Sequence, residues 1–361
     1  MRSNPDISED LNIMETIIAD MKTGVDKELM EHAGRILRKG GLVAFPTETV
    51  YGLGANALDP DAASKIYRAK GRPSDNPLIV HIADVKDLEQ IAAEIPEKAK
   101  VLAQEFWPGP LTMIFKKTDC VPYTTTGGLN TVAVRMPDHK IALELIRAGG
   151  GYIAAPSANT SGRPSPTKAS HVSEDMQGKI EMIIDGGSVG IGVESTIVDM
   201  STDTPMILRP GYINQAMLEN VIGRVDTDPT LLKADSKERP KAPGMRYRHY
   251  APNAEMIIVK GSQKNVVSYI NQIIQKELQA GQMPGIIASE ETKEQYIGGI
   301  VKSIGSRKDE LSISKHLYGV LRDFDEIKVS VIFSESFDTP ALGQAIMNRL
   351  IKAAGHQMIE V

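Results

Sequence analysis

Cysteine is nearly absent: the 361 residues hold one, Cys120. That excludes a disulfide framework and any metal site built on clustered thiolates. Aromatic residues make up 5% of the chain, with a single tryptophan. No apolar run approaches the ~20 residues that span a bilayer. The N-terminal stretch MRSNPDISEDLNIMETIIADM has no basic segment leading into an apolar one, so it does not read as a leader. A soluble, cytoplasmic protein without membrane contact is expected. Positive charge is not in excess either: 41 Lys and Arg stand against 46 Asp and Glu, a formal net charge of −5. A globally basic nucleic-acid binder is excluded, though a local basic patch is not.

Several standard motifs are missing. No G-x-x-x-x-G-K-[ST] is present, and the glycines of DGGSVGIG (185–192) lead into a strand-like run instead of a helix. Neither an H-x-x-x-H pair nor a G-x-S-x-G elbow occurs. The seven histidines are scattered, so no protein-built metal site is expected.

What is present is an ordinary globular composition, 41% hydrophobic and 24% charged, on a chain long enough for about two domains at roughly 150 residues each. Strands are expected at 42–45, 78–82, 111–115, 131–136, 152–155, 180–184, 195–200 and 206–209. Helices are expected at 26–39, 59–70, 84–93, 96–106, 138–148 and 214–222. Asp59 and Pro60 mark one helix start, as N-cap and first helical residue. Long connections at 116–130 and 185–194 argue against a regular doubly wound array. The reading is α/β with a twisted mixed sheet over 25–225, preceded by an N-terminal extension at 1–24.

Prolines 229, 240, 243 and 252 then mark 226–253 as a linker. From 254 to 361, strands at 255–259, 285–288 and 329–333 alternate with helices at 262–280, 312–326 and 339–354. Continuous apolar strands between helices predict a small, parallel, Rossmann-like α/β domain.

Six polar clusters follow elements of the first domain: PTETVYGLG (46–54), KGRPSDNPL (70–78), TVAVRMP (131–137), APSANTSGRPSPT (155–167), GVESTIVD (192–199) and ILRPG (207–211). Taken singly, each could be a turn, Lys70 and Arg72 solvated charges, His81 a core residue, and Ser195 a strand start. Arg135 and Arg209 are different, because each ends an apolar run where a charge needs a partner. Together the clusters combine cations with small hydroxyls and few acids, which suits an anionic ligand, above all phosphate.

These residues resemble a known family. Lys70-x-Arg72 with Ser157-x-Asn159 is the K-x-R…S-x-N signature of the YrdC-type domain. FPTETVYGLG (45–54), KGRP (70–73), WPGPLT (107–112), VAVRMP (132–137), APSAN (155–159), ESTIVD (194–199) and LRPG (208–211) extend the likeness over about 25–225. GMRYRHYAP (244–252) and the small domain after it are similar to the two-domain form of the threonylcarbamoyl-AMP synthases. The resemblance implies a nucleotidyltransferase that joins L-threonine, bicarbonate or CO2, and ATP into L-threonylcarbamoyl-adenylate and pyrophosphate. A tRNA threonylcarbamoyl transferase then uses that product at adenosine 37 of tRNA.

It implies catalytic roles for Lys70 and Arg72. It implies ATP contacts for Arg72, Asn76, Thr131, Ser157, Asn159, Ser165 and Arg209, and threonine contacts for Thr49, His81, Arg135, Ala155 and Ser195. Magnesium is implied with ATP; Glu48 and Glu194 are weak candidate ligands. The linker holds Lys233, Lys237, Arg239, Lys241, Arg246 and Arg248 against Asp235 and Glu238. It is a solvated connector, a weak tRNA contact, or a lid in which Tyr247 and His249 reach the nucleotide. Two other functions stay open: a non-catalytic RNA-binding module and a carbamoyltransferase-type YrdC enzyme. Few aromatics and a net negative charge count against the first, and the absence of a further catalytic domain counts against the second.

Overall fold

The structure is a computed structural model and describes residues 14–229, 231, 242–243 and 249–361. Among the described residues the first domain is built on an eleven-stranded mixed sheet. Its strands run across the sheet as Ile17–Asp20, Met182–Asp185, Val43–Phe45, Gly52–Asn56, Ile153–Ala154, Ile79–His81, Thr131–Arg135, Leu111–Lys116, Thr196–Asp199, Met206–Arg209 and Asp226–Thr227. Parallel and antiparallel pairs alternate irregularly across it. Two strands lie where the sequence reads as non-core: Ile17–Asp20 within the N-terminal extension and Asp226–Thr227 at the linker start. Both are short edge strands, which carry little periodic signal.

Register does the work of assembling a site. His81 pairs with Arg135, Arg135 with Thr112, Thr112 with Ile197, and Ile197 with Arg209. Directly paired residues share a face, so one line across five strands carries His81, Arg135, Thr112 and Arg209 on the same side. The alternate residues, among them Val80, Val132, Val134, Met113 and Val198, point the other way into the main core.

The helix Pro60–Lys70 packs Ala62, Ala63 and Ile66 against that core. The Asp59 carboxylate caps it by accepting from the Asp61 and Ala62 amides at 2.9 and 3.3 Å. It stops at Gly71, whose φ of 62° is a left-handed conformation that glycine adopts without strain. The K-G-R sequence therefore turns sharply, leaving Lys70 on the last helical turn and Arg72 just beyond it.

The second domain is a five-stranded, wholly parallel sheet in the order Ile300–Ser303, Gly285–Ala288, Val331–Glu335, Glu255–Lys260, Met358–Glu360. The helix Gln263–Gln279 covers one face through Val266, Ile270 and Ile274. Helices Glu310–Ile327 and Gly343–Ala353 cover the other. That second face also packs against Val50, Val193 and Tyr250 of the preceding chain, so the two domains share a continuous apolar contact. Sequence periodicity misses Ile300–Ser303 and Met358–Glu360, both short and half-exposed or exposed.

Candidate active site

A cleft of about 690 Å³ opens over the polar face of the first sheet. Lys70, Arg72, His81, Arg135, Ala155, Ser157, Asn159, Ser195, Arg209 and His249 all line it. Of the other residues singled out from the sequence, Asn76, Thr131, Ser165 and Thr49 lie outside the lining. Tyr247 lies outside the described residues.

Three cations dominate the cleft. Lys70 is 2% exposed, and its ammonium donates to the carbonyls of Ser157 and Asn159. Burial first, then neighbouring Arg72, pushes its pKa well below the usual lysine value. Arg72 donates to the carbonyls of Asn76 and Pro77 at 3.4 and 3.2 Å, and burial brings it down to about 10. Arg209 donates from Nε to the Ser195 carbonyl at 3.0 Å and from Nη2 to Ser195 Oγ at 3.2 Å; burial lowers its pKa too. Among the described residues none of the three has a carboxylate within 4 Å of its charged nitrogens. Carbonyl dipoles hold them in place, with Glu194 acting on Arg209 and Asp75 on Arg72 only from beyond ion-pair distance, and positive charge gathered in a partly desolvated cleft favours an anion.

Arg135 differs. Its Nη2 lies 2.6 Å from Glu48 Oε1, and its Nε donates to the Gly109 carbonyl at 3.3 Å. The Glu48 contact is an ion pair outside hydrogen-bond geometry, which leaves both carboxylate oxygens and Nη2 without a well-formed hydrogen bond. A second carboxylate could accept from Arg135 Nη2, whereas the Glu48 oxygens call for a donor. His81 resolves its two readings by being both buried and on the cleft wall: Nδ1–H donates to the Ile79 carbonyl at 3.1 Å. Burial, reinforced by Arg135, holds its pKa at about 3, so the imidazole is neutral at pH 7.

The S-x-N signature organises a loop. Ser157 Oγ donates to Asn159 Oδ1 at 2.6 Å, and Asn159 Nδ2 donates to the carbonyls of Thr160 and Arg163 at 2.8 and 2.9 Å. Both Asn159 side-chain atoms are thus occupied within the loop. Thr49 sits fully buried with its hydroxyl 2.9 Å from Thr47 Oγ1. Ser165 Oγ donates to Glu194 Oε1 at 2.5 Å. Asn76 is buried, with Oδ1 lacking a hydrogen-bond partner among the described residues.

Glu194 lines the cleft but is engaged on all sides. Its carboxylate accepts from Ser165, from Tyr318 Oη at 2.9 and 3.1 Å, and from Arg349 Nε at 3.1 Å. Burial opposes its charge, yet Arg349 and Arg209 hold its pKa at about 2. Tyr318 and Arg349 come from the second domain, and neither is found by motif reading. The available signal is a charge inside an apolar helical stripe, as in IMNRLI (346–351). Among the described residues no three His, Cys, Asp or Glu side chains cluster as a metal site. None of the described helices is long and apolar enough to cross a membrane.

Fold and cleft define a YrdC-like protein with a fused parallel α/β domain, and comparison with known proteins agrees. The Sua5/YciO/YrdC family profile, described as "Telomere recombination", matches residues 35–211. A second, "Threonylcarbamoyl-AMP synthase, C-terminal domain", matches 213–355. The chain belongs to the threonylcarbamoyl-AMP synthase family in its two-domain form. It is 52% identical to the threonylcarbamoyl-AMP synthase of Bacillus subtilis over 91% of this chain and 93% of that one. It is 49% identical to the enzyme of the same name from Pyrococcus abyssi over 96% of this chain and 100% of the other. A crystal structure of P. abyssi Sua5 complexed with L-threonine superposes with a TM-score of 0.91 at 48% identity, covering 96% of this chain and 100% of that one.

Proposed function

We propose that this cleft condenses N-carboxylated L-threonine with the α-phosphate of ATP, releasing pyrophosphate and leaving L-threonylcarbamoyl-adenylate. The observation that carries the reading is the set of three cations, Lys70 and Arg209 buried and Arg72 half-buried, held by carbonyls and facing one cleft. The threonine amine adds to CO2, derived from bicarbonate, to form a carbamate. A carbamate oxygen then attacks the α-phosphorus as the bond to pyrophosphate breaks. The nucleophile belongs to the substrate, so the protein's task is alignment and charge neutralisation at the phosphates.

Lys70, Arg72 and Arg209 serve the triphosphate, with Ser157 and His249 beside them on the cleft wall. Asn76, Asn159, Thr131 and Ser165 support that region from outside it or within its loops. Arg135, His81, Ala155 and Ser195 receive threonine, and Thr49, buried against Thr47 outside the lining, supports them. Magnesium enters with ATP as the counter-ion of the phosphates. Glu48 and Glu194 already face arginines, so phosphate oxygens and water are its fitting ligands. A cytoplasmic location, where ATP, bicarbonate and threonine are available, suits the reading, with a tRNA threonylcarbamoyl transferase as the consumer of the product.

Arg135→Ala tests the threonine half. The planar guanidinium matches a carboxylate, while Glu48 must share or yield that edge. Calorimetry is expected to show threonine affinity reduced at least tenfold (about 1.4 kcal/mol) with ATP affinity within twofold of the parent. Arg135→Lys should recover only part of it. Unchanged threonine binding in Arg135→Ala would remove the assignment.

A further inference from the structure

Arg349 is fully buried on the helix Gly343–Ala353 of the second domain, yet among the described residues the hydrogen-bond partners of its guanidinium lie in the first. Nε donates to Glu194 Oε2 at 3.1 Å, Nη2 to the Glu194 carbonyl at 3.3 Å, and Nη1 to the Pro210 carbonyl. Glu194 and Pro210 are the chain neighbours of Ser195 and Arg209. Those two are themselves joined, through Arg209 Nε to the Ser195 carbonyl and Nη2 to Ser195 Oγ. Ser195 Oγ in turn lies 2.7 Å from Thr112 Oγ1. One fork from the second domain thus grips both segments at the point where the threonine side and the nucleotide side of the cleft meet. The segments are also in tight backbone contact: a Cβ on Gly211 would come within 2.4 Å of the Thr196 amide nitrogen, so small displacements are not absorbed.

Glu194 completes the arrangement. Its oxygens are taken by Ser165, Tyr318 and Arg349, which leaves it a connector rather than a group for substrate. The Tyr318 ring stacks on Tyr250, a cleft-lining residue, at 5.3 Å between centroids. A buried ion pair of this type contributes little net stability compared with apolar packing of similar volume, and its attested use is to fix one arrangement among several.

We propose that Arg349 is a positioning residue for the synthase reaction. By fastening Glu194 to Pro210 it sets the separation of Ser195 and Arg209, and so makes the second domain part of the catalytic geometry. The proposal rests on the reading of Ser195 and Arg209 as ligand-binding groups. It accounts for a fully buried arginine whose contacts are otherwise far from any surface function. A lysine cannot replace it, because an ammonium lacks the fork that reaches a carboxylate and two carbonyls at once.

The test is steady-state pyrophosphate release by the full chain, with KM for ATP and for threonine measured separately in Arg349→Lys, Arg349→Met and, as reference, Arg209→Lys. Arg349→Lys is expected to keep a native far-UV spectrum and a cooperative melt while its KM for ATP rises roughly tenfold or more, the scale expected of a small misplacement in a site. Arg349→Met should show the same or a larger rise. Parental KM values in Arg349→Lys, with only the active fraction reduced, would overturn the proposal. Failure of Arg349→Lys to fold would also overturn it, assigning the arginine to the fold alone. A normal KM for ATP in Arg209→Lys would instead defeat the assignment of Arg209, which separates the two failures.

Discussion

His171 and His81 are buried imidazoles that the fold keeps neutral. His171 Nδ1 accepts from the Thr167 amide at 3.3 Å, and burial followed by Arg322, Lys168 and Arg163 lowers its pKa to about 3. In the unfolded chain a histidine titrates near 6.5. The unfolded state therefore binds more protons between these values, and stability is complete above about 6.5 and falls as pH drops toward 3. His171→Gln should reduce the slope of unfolding free energy against pH by about one proton between pH 4 and 6, or about 1.4 kcal/mol per pH unit. Denaturant melts across that range check it; parallel slopes for the two proteins would contradict the linkage. Amino-acid choice is also set by single residues. Ala155 and Ser195 line the cleft, and the proposed pocket sets these small groups against the threonine methyl. Threonine should exceed serine in kcat/KM by roughly 10- to 100-fold, the value of one packed methyl; equal efficiencies would exclude this pocket. Residues of this kind were legible wherever a motif carried them. Glu48, Tyr318 and Arg349 were not legible as partners, because each matters through a contact that is distant in sequence.

The helix Pro60–Lys70 links local sequence to the chemistry most simply. Its start and stop are written in the chain as Asp59–Pro60 and Gly71, and its last residue is a cleft cation. Asp59→Ala should cost about 1 kcal/mol of stability through two lost amide acceptances. Asp59→Asn should retain most of it, and both should leave threonine affinity unchanged. Urea unfolding with calorimetry decides this; a neutral Asp59→Ala would mean that the cap is redundant with packing. Elements with strong periodicity or explicit punctuation were readable from sequence. The strand Gly52–Asn56 was not, since GLGAN has no alternation; it is fully enclosed between Val43–Phe45 and Ile153–Ala154. The helix Ala169–Met176 was missed for a related reason: it buries His171 and Asp175 along with Val172 and Met176, so its polar and apolar residues do not separate into faces.

At the scale of the whole molecule, the site is a product of strand order. His81, Arg135 and Arg209 come from three separated stretches of chain and meet because pairing register sets them in one line. Strand order is non-local and was not readable; the mixed character of the sheet and the parallel character of the second domain were. The two domains are joined by apolar packing around Tyr250 and by buried arginines. Arg322 donates to the carboxylates of Glu174 and Asp175 at 3.0 and 2.8 Å and to the Pro164 carbonyl at 2.7 Å, tying down the loop that follows Asn159. The cleft is lined by the first domain and by Pro243, His249 and Tyr250, and the second domain packs behind it through Tyr318 and Arg349. The most direct measurement is pyrophosphate release from ATP by the purified full chain with bicarbonate and threonine, leaving out each component in turn. Release that requires all three together, with threonylcarbamoyl-adenylate as the co-product, is the predicted result. Release that is indifferent to threonine or to bicarbonate, or no release under any combination, would contradict it.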